Sequence, residues 1–365
     1  MNNYIIFFVI LFIFISNVIQ SFIPHWTRRT ENFGVSIPEH LYERADFKQM
    51  RKNYTIVLNV ANFIAFLVFV LLLKSLSETA VIAGIFIYLF AFIAFGFLYY
   101  LRFHFKMKQV KQTEDWFKDK EEVVIIDTKF SEEKLVHSSG WFLVPLLIVV
   151  LTVMYTMSVY DDIPNEIPIH TSFSGEVTYD EKSIKTLLIL PSIQLFLIVV
   201  FFFVNFVIKH SKQQVSAQNP EVSKKQNILF RRRWSLYNII TAIMMTLMMS
   251  YSQFTFIYPA LKTYEDFVTF GVLGAMFVGM IVLTIFTGQG GSRIKVDGNR
   301  ETTRVERDDD KYWKLGQFYF NKNDPSIFVE KRFGIGWTNN WAHPISWILL
   351  IVIIALPLII IFLLM

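Results

Sequence analysis

A chain of 365 residues that is 53% hydrophobic and only 18% charged is too apolar for an ordinary soluble domain. Its formal charge of +5 is accompanied by no nucleic-acid-binding motif, so direct nucleic-acid binding is not expected. The absence of cysteine excludes disulfides, thiolate metal sites and thiol catalysis.

Eight runs without Asp, Glu, Lys, Arg or His punctuate the sequence: residues 4–23, 56–73, 80–101, 141–160, 186–208, 236–258, 267–287 and 345–364. Each would make a helix of about 30 Å, the thickness of the hydrocarbon core. Helices satisfy their own backbone in lipid. The predicted fold class is therefore all-α: a polytopic membrane protein of eight transmembrane helices set in the lipid bilayer. The basic residues orient it. Taken in order, the loops between the runs hold 6, 1, 8, 2, 7, 1 and 10 Lys plus Arg. With the rich loops in the cytoplasm, 31 of 35 basic residues are inside, the inner face carries +10 and the outer face −5. Both termini then lie outside.

Residues 1–101 hold the first three spans. The first run lacks a basic start and a small-residue cleavage site, and Arg28 and Arg29 follow it, so it reads as a retained helix and not a signal peptide. Pro38 suits the start of a short interfacial helix over 37–52 that runs into the second span. Residues 102–140 are a cytoplasmic loop in which 122–128, EVVIIDT, predicts a strand. A lone strand needs a partner. Residues 141–208 are two spans around a polar outer loop, 161–185. Residues 209–287 hold a polar linker at 211–226, expected to be mobile, and spans six and seven. Residues 288–344 form the last cytoplasmic loop, and 345–365 the eighth span.

In that last loop, GQGG at 288–291 lacks the Lys-Ser/Thr of a phosphate loop and reads as flexible linker. The runs 317–320 and 327–330 flank a turn-rich stretch and predict a hairpin. Paired with 122–128, it would make a small cytoplasmic β-containing cap, with Trp337, Trp341 and Trp347 at the membrane interface. Asp308, Asp309 and Asp310 cannot all face one ion without a special backbone, so they read as a solvated run or a helix start. With Tyr312, Trp313 and Trp337 they are the candidate surface for a cytoplasmic partner.

The polar residues of the membrane runs are neutral, among them Asn17, Gln20, Asn59, Asn62, Gln194, Asn205, Asn238 and Gln253. Interhelical hydrogen bonds explain them, and Asn59 and Asn62, three apart, predict a helix contact. The lack of intramembrane charge counts against a proton-coupled carrier and a voltage-gated channel. No zinc-protease motif or intramembrane aspartate supports hydrolysis, and neither an enzyme nor a cofactor is expected.

The outer loop concentrates the remaining signals. Pro164 and Pro168 hold the chain extended, and Gly175 permits a turn. His170 is the one histidine placed outside. Asp161, Asp162, Glu166, Glu176, Asp180 and Glu181 surround it, against Lys182 and Lys185. Three readings stand: a hydrogen-bonded connector, a steering site for an extracellular cationic peptide, or a Zn²⁺ site of His170 with a carboxylate. The candidate ligand-binding set is Asp161, Asp162, Pro164, Glu166, Pro168, His170, Gly175 and Glu176, with no metal assigned.

The stretch IPNEIPIHTSFSGEVTYDEKS resembles a short membrane domain of unknown function found in immunity proteins against the sporulation-delay peptide toxin of Gram-positive bacteria. Pro164, Pro168, His170 and Gly175 match its Pro-x-x-x-Pro-x-His segment and following glycine, with Lys182 near the end, and the likeness covers about residues 147–195. Residues 308–341 resemble a second short domain, found at the cytoplasmic end of multi-span proteins from the same bacteria. The first resemblance implies a bacterial plasma-membrane protein that protects the envelope from a secreted peptide. It also implies signalling, through a transcriptional regulator recruited to the membrane. The alternative is a permease for a small solute or lipid that uses neutral polar contacts.

Overall fold

The structure is a computed structural model that describes residues 3–72, 75–117, 122–123, 133–171, 177–215, 220–296, 305–306 and 308–364. In chain order its elements are α1 (Asn3–Ser21), the one-turn α2 (Ile23–Trp26), β1 (Glu31–Asn32), β2 (Val35–Ser36), α3 (Ala45–Leu72), α4 (Glu78–Glu114), β3 (Glu122–Val123) and α5 (Leu143–Ser158). There follow β4 (Glu166–Thr171), β5 (Val177–Glu181), α6 (Ile184–His210), α7 (Pro220–Ile257), α8 (Glu265–Thr287) and β6 (Val305–Glu306). Last come β7 (Trp313–Lys314), β8 (Phe318–Tyr319), β9 (Phe328–Glu330), β10 (Trp337–Asn339) and α9 (Pro344–Leu364).

Six helical stretches among the described residues are long and apolar enough to cross a membrane: Ala45–Leu72, Thr79–Glu114, Ser139–Ser158, Ile184–His210, Pro220–Ile257 and Pro259–Gly291. The two terminal runs are helical as well, but their described apolar portions, Val9–Ser21 and Pro344–Ala355, are shorter. Several helices overrun the uncharged runs at their basic ends. α4 continues to Glu114 and α7 begins at Pro220. Only the part of a helix that lies in oil has to be uncharged, so the run marks the membrane segment and not the helix. Large apolar side chains point outward, Leu71, Ile87 and Phe267 being 79%, 67% and 80% exposed. In water such faces would be a liability; in lipid they are the solvent-facing surface.

Two helix groups form. α1, α3 and α4 pack together, and α7 lies centrally among α5, α6 and α8. Apolar faces have no reason to prefer each other over lipid tails, so neutral polar contacts fix the pairings. Asn62, fully buried on α3, accepts from Asn17 of α1 (3.1 Å) and Tyr88 of α4 (2.5 Å) and donates to the Phe14 carbonyl (3.1 Å). Asn59 donates to Ser21 Oγ (2.8 Å). The contact expected from the Asn59/Asn62 spacing is present. In the second group Ser250 of α7 accepts from Thr152 of α5 (2.9 Å) and Gln194 of α6 (3.0 Å), while Gln253 and Asn238 bond the Leu187 and Phe201 carbonyls.

The loops rich in Lys and Arg meet at one end. Arg28 reaches Glu330, Lys111 reaches Asp310, Arg232 donates to the Lys134 carbonyl, and Lys212 pairs with Asp324. The β4–β5 hairpin lies at the far end of the second group, packed with Leu187 and Ile257. The charge alternation of the sequence is thus reproduced in space.

The cap at the basic end differs in four ways from expectation. Residues 122–123 pair in parallel with β6 and not with a hairpin from 317–330; residues 124–128 lie outside the described ones. The runs 317–320 and 327–330 belong to separate hairpins, β7–β8 and β9–β10, because Asn340 ties down the stretch between them. Strands of two or three residues carry no periodicity from which to read partners. Residues 288–291 are no linker: Gln289 is fully buried and exchanges hydrogen bonds of 2.9 and 2.7 Å with the Gly336 backbone. The described parts of the polar linker are likewise anchored, by Lys212 N–H on the Phe328 carbonyl (2.8 Å) and by α7 starting at Pro220; residues 216–219 lie outside the described ones. The helix expected within 37–52 is present from Ala45, where α3 begins and runs on into the second span, with a 3₁₀ turn, Glu39–Leu41, before it.

The β1–β2 turn brings the first helix group into the cap. Phe33 (φ +46°) and Gly34 (φ +73°) form its two-residue loop. Positive φ is unusual for a bulky residue, and it is held here by full burial of the ring, stacked 4.9 Å from Phe103. A Cβ on Gly34 would stand 2.5 Å from the Gly316 carbonyl, so no other residue fits. Tyr100 Oη lies 3.1 Å from the carbonyls of both Phe33 and Leu315, tying this turn to the β7–β8 turn.

Two outcomes follow. Asn62→Leu should lower bundle stability by about 1–2 kcal/mol, read as a fall in the unfolding midpoint of the detergent-solubilised protein. Because the chain has no cysteine, single cysteines at the exposed positions Asn165 and Lys322 should label with an impermeant thiol reagent from opposite sides of the membrane.

Candidate functional site

The outer hairpin is built on its inner face. The chain leaves α5 through a 3₁₀ turn, Tyr160–Asp162, and buries Ile163 and Ile167 against Leu187 and Ile257. Alternation in β4 then sends Glu166 outward. β4 and β5 pair antiparallel, Glu166 opposite Glu181, Ile167 opposite Asp180 and Pro168 opposite Tyr179, with an irregularity between Pro168 and His170. A proline lacks the N–H that a regular ladder needs, which suits such an edge position.

Lys182 closes the hairpin from below. Its ammonium donates to the Ile163 (2.8 Å) and Tyr160 (3.2 Å) carbonyls and sits 4.9 Å from the Tyr160 ring centroid, and its N–H donates to the Asn165 carbonyl (2.8 Å). This lysine therefore locks the turn and does not offset the surface carboxylates. Ser183 caps α6 by accepting from the Thr186 N–H (3.0 Å). Hairpin and helix are one continuous piece.

Of the residues expected to bind a ligand, Asp161, Asp162, Pro164 and Glu166 are exposed and Pro168 is half-buried. His170 is opposite Thr178 in the strand pair, and Gly175 and Glu176 lie outside the described residues. Asp180 and Glu181 are exposed too. Glu166 and Glu181 face each other across the strands. Like charges in that relation destabilise a sheet by a few tenths of a kcal/mol, and a bound cation would relieve the repulsion. No group of three or more metal-ligating side chains occurs among the described residues.

At the basic end, of the residues expected to meet a partner Trp313 is buried and Asp308, Asp309, Asp310, Tyr312 and Trp337 are partly exposed. Lys111 Nζ is 2.8 Å from Asp308 and 2.6 Å from Asp310, and Arg332, buried, pairs with Asp309 and Asp310. Arg332 also donates to the Gly34 carbonyl (3.2 Å) and Ser36 Oγ (3.0 Å). The three aspartates are therefore not a solvated run, although Asp310 does open a 3₁₀ turn. Trp313 is buried against Tyr319 beneath the Arg332 guanidinium, Tyr312 is half-buried, and Trp337 packs 5.4 Å from Phe230.

Sequence reasoning missed the ionic lock beside them. Glu330 of β9 is fully buried between Arg28 and Arg231, with Asn227 donating to its Oε1 (2.7 Å). Arg231 also reaches the Ile208 (2.7 Å) and Lys212 (3.2 Å) carbonyls at the end of α6. The available signal was Asn227 and Arg231, four apart on one helical face. At Asp324, burial would raise the carboxyl, but the Lys212 ammonium and Tyr319 hydroxyl (2.7 Å) hold it below the usual carboxylate range.

A model for a domain of unknown function, DUF1648, matches residues 147–195, and one for a family of unknown function, DUF5808, matches residues 322–347. The first covers most of α5, the outer hairpin and the start of α6. The second covers β9, β10 and the start of α9. No curated protein and no solved structure matches the chain.

Replacing one partner of a buried ion pair strands the others, at about 3–5 kcal/mol. Glu330→Gln should accordingly lower the thermal midpoint sharply, and an unchanged midpoint would remove the lock. Asp324 has its pKa depressed by folding, so its contribution is present above the unfolded pKa and lost as pH falls through the folded one. The stability gap between the native chain and Asp324→Asn should stay constant from about pH 5 to 8 and shrink only below about pH 4.

Proposed function

We propose that this chain is a non-enzymatic, eight-helix protein of the bacterial plasma membrane, both termini outside, that senses or resists a cationic envelope-active peptide. The peptide would be met at the outer hairpin, and the bound state passed to a cytoplasmic regulator. The observation that carries this reading is the outward, mutually repelling pair Glu166–Glu181 on a hairpin whose own lysine is engaged elsewhere. Neighbouring Asp161, Asp162 and Asp180 add to the field. The resemblance to the immunity-protein domain supports the same reading. So does the length of α1 and α9, 19 and 21 residues, enough for spans of about 30 Å.

A route for the signal is available. α6 begins at the hairpin's cap, Ser183, and ends where Arg231, itself paired with Glu330, donates to the Ile208 carbonyl. A shift of the hairpin would act on the cap through this single rod. A permease has less support, because Asn62, Gln194, Asn238 and Gln253 each donate to a neighbouring helix.

Deleting the gene should sensitise cells to at least one cationic peptide. A copy carrying Glu166→Gln with Glu181→Gln should fail to restore resistance, as should His170→Ala with Glu166→Ala, whereas Asn165→Ala should restore it. Each exposed ion pair is worth about 0.2–1 kcal/mol, so the peptide's affinity should fall up to about fivefold per carboxylate removed, and less at high salt. Unchanged sensitivity of the deletion strain across a broad peptide panel would overturn the proposal.

A further inference from the structure

The two backbone edges of the outer hairpin are not alike. β4 and β5 pair antiparallel, so along each strand the N–H and C=O groups turn alternately toward the partner strand and away from it. Lys182 N–H turns toward β4, onto the Asn165 carbonyl (2.8 Å), which places Glu181, Tyr179 and Val177 in the set that turns away. The pairing of Tyr179 with Pro168 agrees, because a proline has no N–H with which to exchange two hydrogen bonds. Glu181 is satisfied locally: its N–H donates to Asp180 Oδ1 (2.9 Å) and its carbonyl accepts from Thr186 Oγ1 (3.1 Å). Tyr179, 55% exposed, has no such main-chain partner among the described residues. On β4 the outward position opposite it is Pro168, with no donor to offer. Proline on an edge is one of the ways proteins block strand addition. One edge of this sheet is blocked and the other is open at Tyr179.

Side chains narrow what can lie along the open edge. Ile167 is buried on the helix side, so alternation puts Glu166, Pro168, Tyr179 and Glu181 on the outward face. Along β5 that face presents a carboxylate and, two residues away, an aromatic ring. A second copy of the hairpin, paired edge to edge, would gather the exposed Glu166, Asp180 and Glu181 of both chains about one seam. Lys182 would not offset them, being engaged with the Tyr160 and Ile163 carbonyls. A cationic partner meets the opposite situation. We infer that β5 takes an extended segment of a cationic peptide as a third strand. Tyr179 exchanges main-chain hydrogen bonds with one residue of it, whose apolar side chain lies beside the Tyr179 ring, and a Lys or Arg two positions along lies beside Glu181 and Glu166. This inference rests on the reading of the hairpin as a peptide site and adds how the peptide is held and which residue pattern it carries.

The test uses the full-length protein in phosphatidylcholine nanodiscs and a fluorescent probe, acetyl-Thr-Lys-Thr-Phe-Thr-Lys-Thr-amide, with affinity read by anisotropy. N-methylation of its Phe and one Lys removes two N–H groups that would face β5 and should weaken binding about tenfold or more. N-methylation of the two central Thr, whose N–H groups lie on the far edge, keeps charge and methyl count the same and should leave affinity nearly unchanged. Tyr179→Pro deletes an N–H that the hairpin itself does not use and should abolish binding, whereas Tyr179→Ala, which keeps that N–H, should weaken it at most about fivefold. Equal affinity of the two methylated probes, both weakened by Glu166→Gln with Glu181→Gln, would overturn the inference yet leave the hairpin a cationic-peptide site. No binding of the parent probe, or a disulfide-linked dimer formed by Tyr179→Cys in the membrane, would overturn it as well, while the protective role stands or falls separately with the deletion strain.

Discussion

One buried carboxylate joins the two halves of this protein. Glu330, without solvent exposure, is shared by Arg28, which follows the first helix, and Arg231, which belongs to the central helix of the second group. In a bilayer, apolar helix faces are nearly indifferent to which neighbour they meet, because lipid tails are as apolar as leucine. Burying charge is expensive and tolerates only a narrow geometry. The lock therefore selects one arrangement of helices that greasy packing alone would leave open. Arg332, which binds Asp309, Asp310 and the β1–β2 turn, repeats the device a few residues further on.

The two ends of α6 sit in opposite electrostatic settings. At one end the hairpin keeps its apolar residues and its lysine beneath it and turns carboxylates outward. At the other, the last carbonyls of the helix are held by a fully buried arginine. The two matched segments, 147–195 and 322–347, are the parts of the chain that meet α6 at its opposite ends.

Between those ends, the boundary of the apolar layer carries its own chemistry. Trp341 and Trp347, 5.2 Å apart, stand at the start of α9, and Trp234 and Trp337 line a cavity between α6, α7 and the cap. Indole suits this depth, since its ring is content in oil while its N–H seeks an acceptor.

The hydrocarbon layer forces its requirement on every local stretch of about twenty residues, so composition alone determined where the membrane helices lie, how their ends alternate in charge, and that Asn59 and Asn62 face a neighbouring helix. Pairing between distant segments leaves no such local mark. That Lys182 turns inward, that Asp308–Asp310 brace the cap, that GQGG is a packed corner, and that β7–β8 and β9–β10 are separate hairpins were decided only by tertiary structure. A side chain's charge is written in the sequence, but its partner, 302 residues away for Arg28 and Glu330, is chosen by which surfaces the folded bundle brings together.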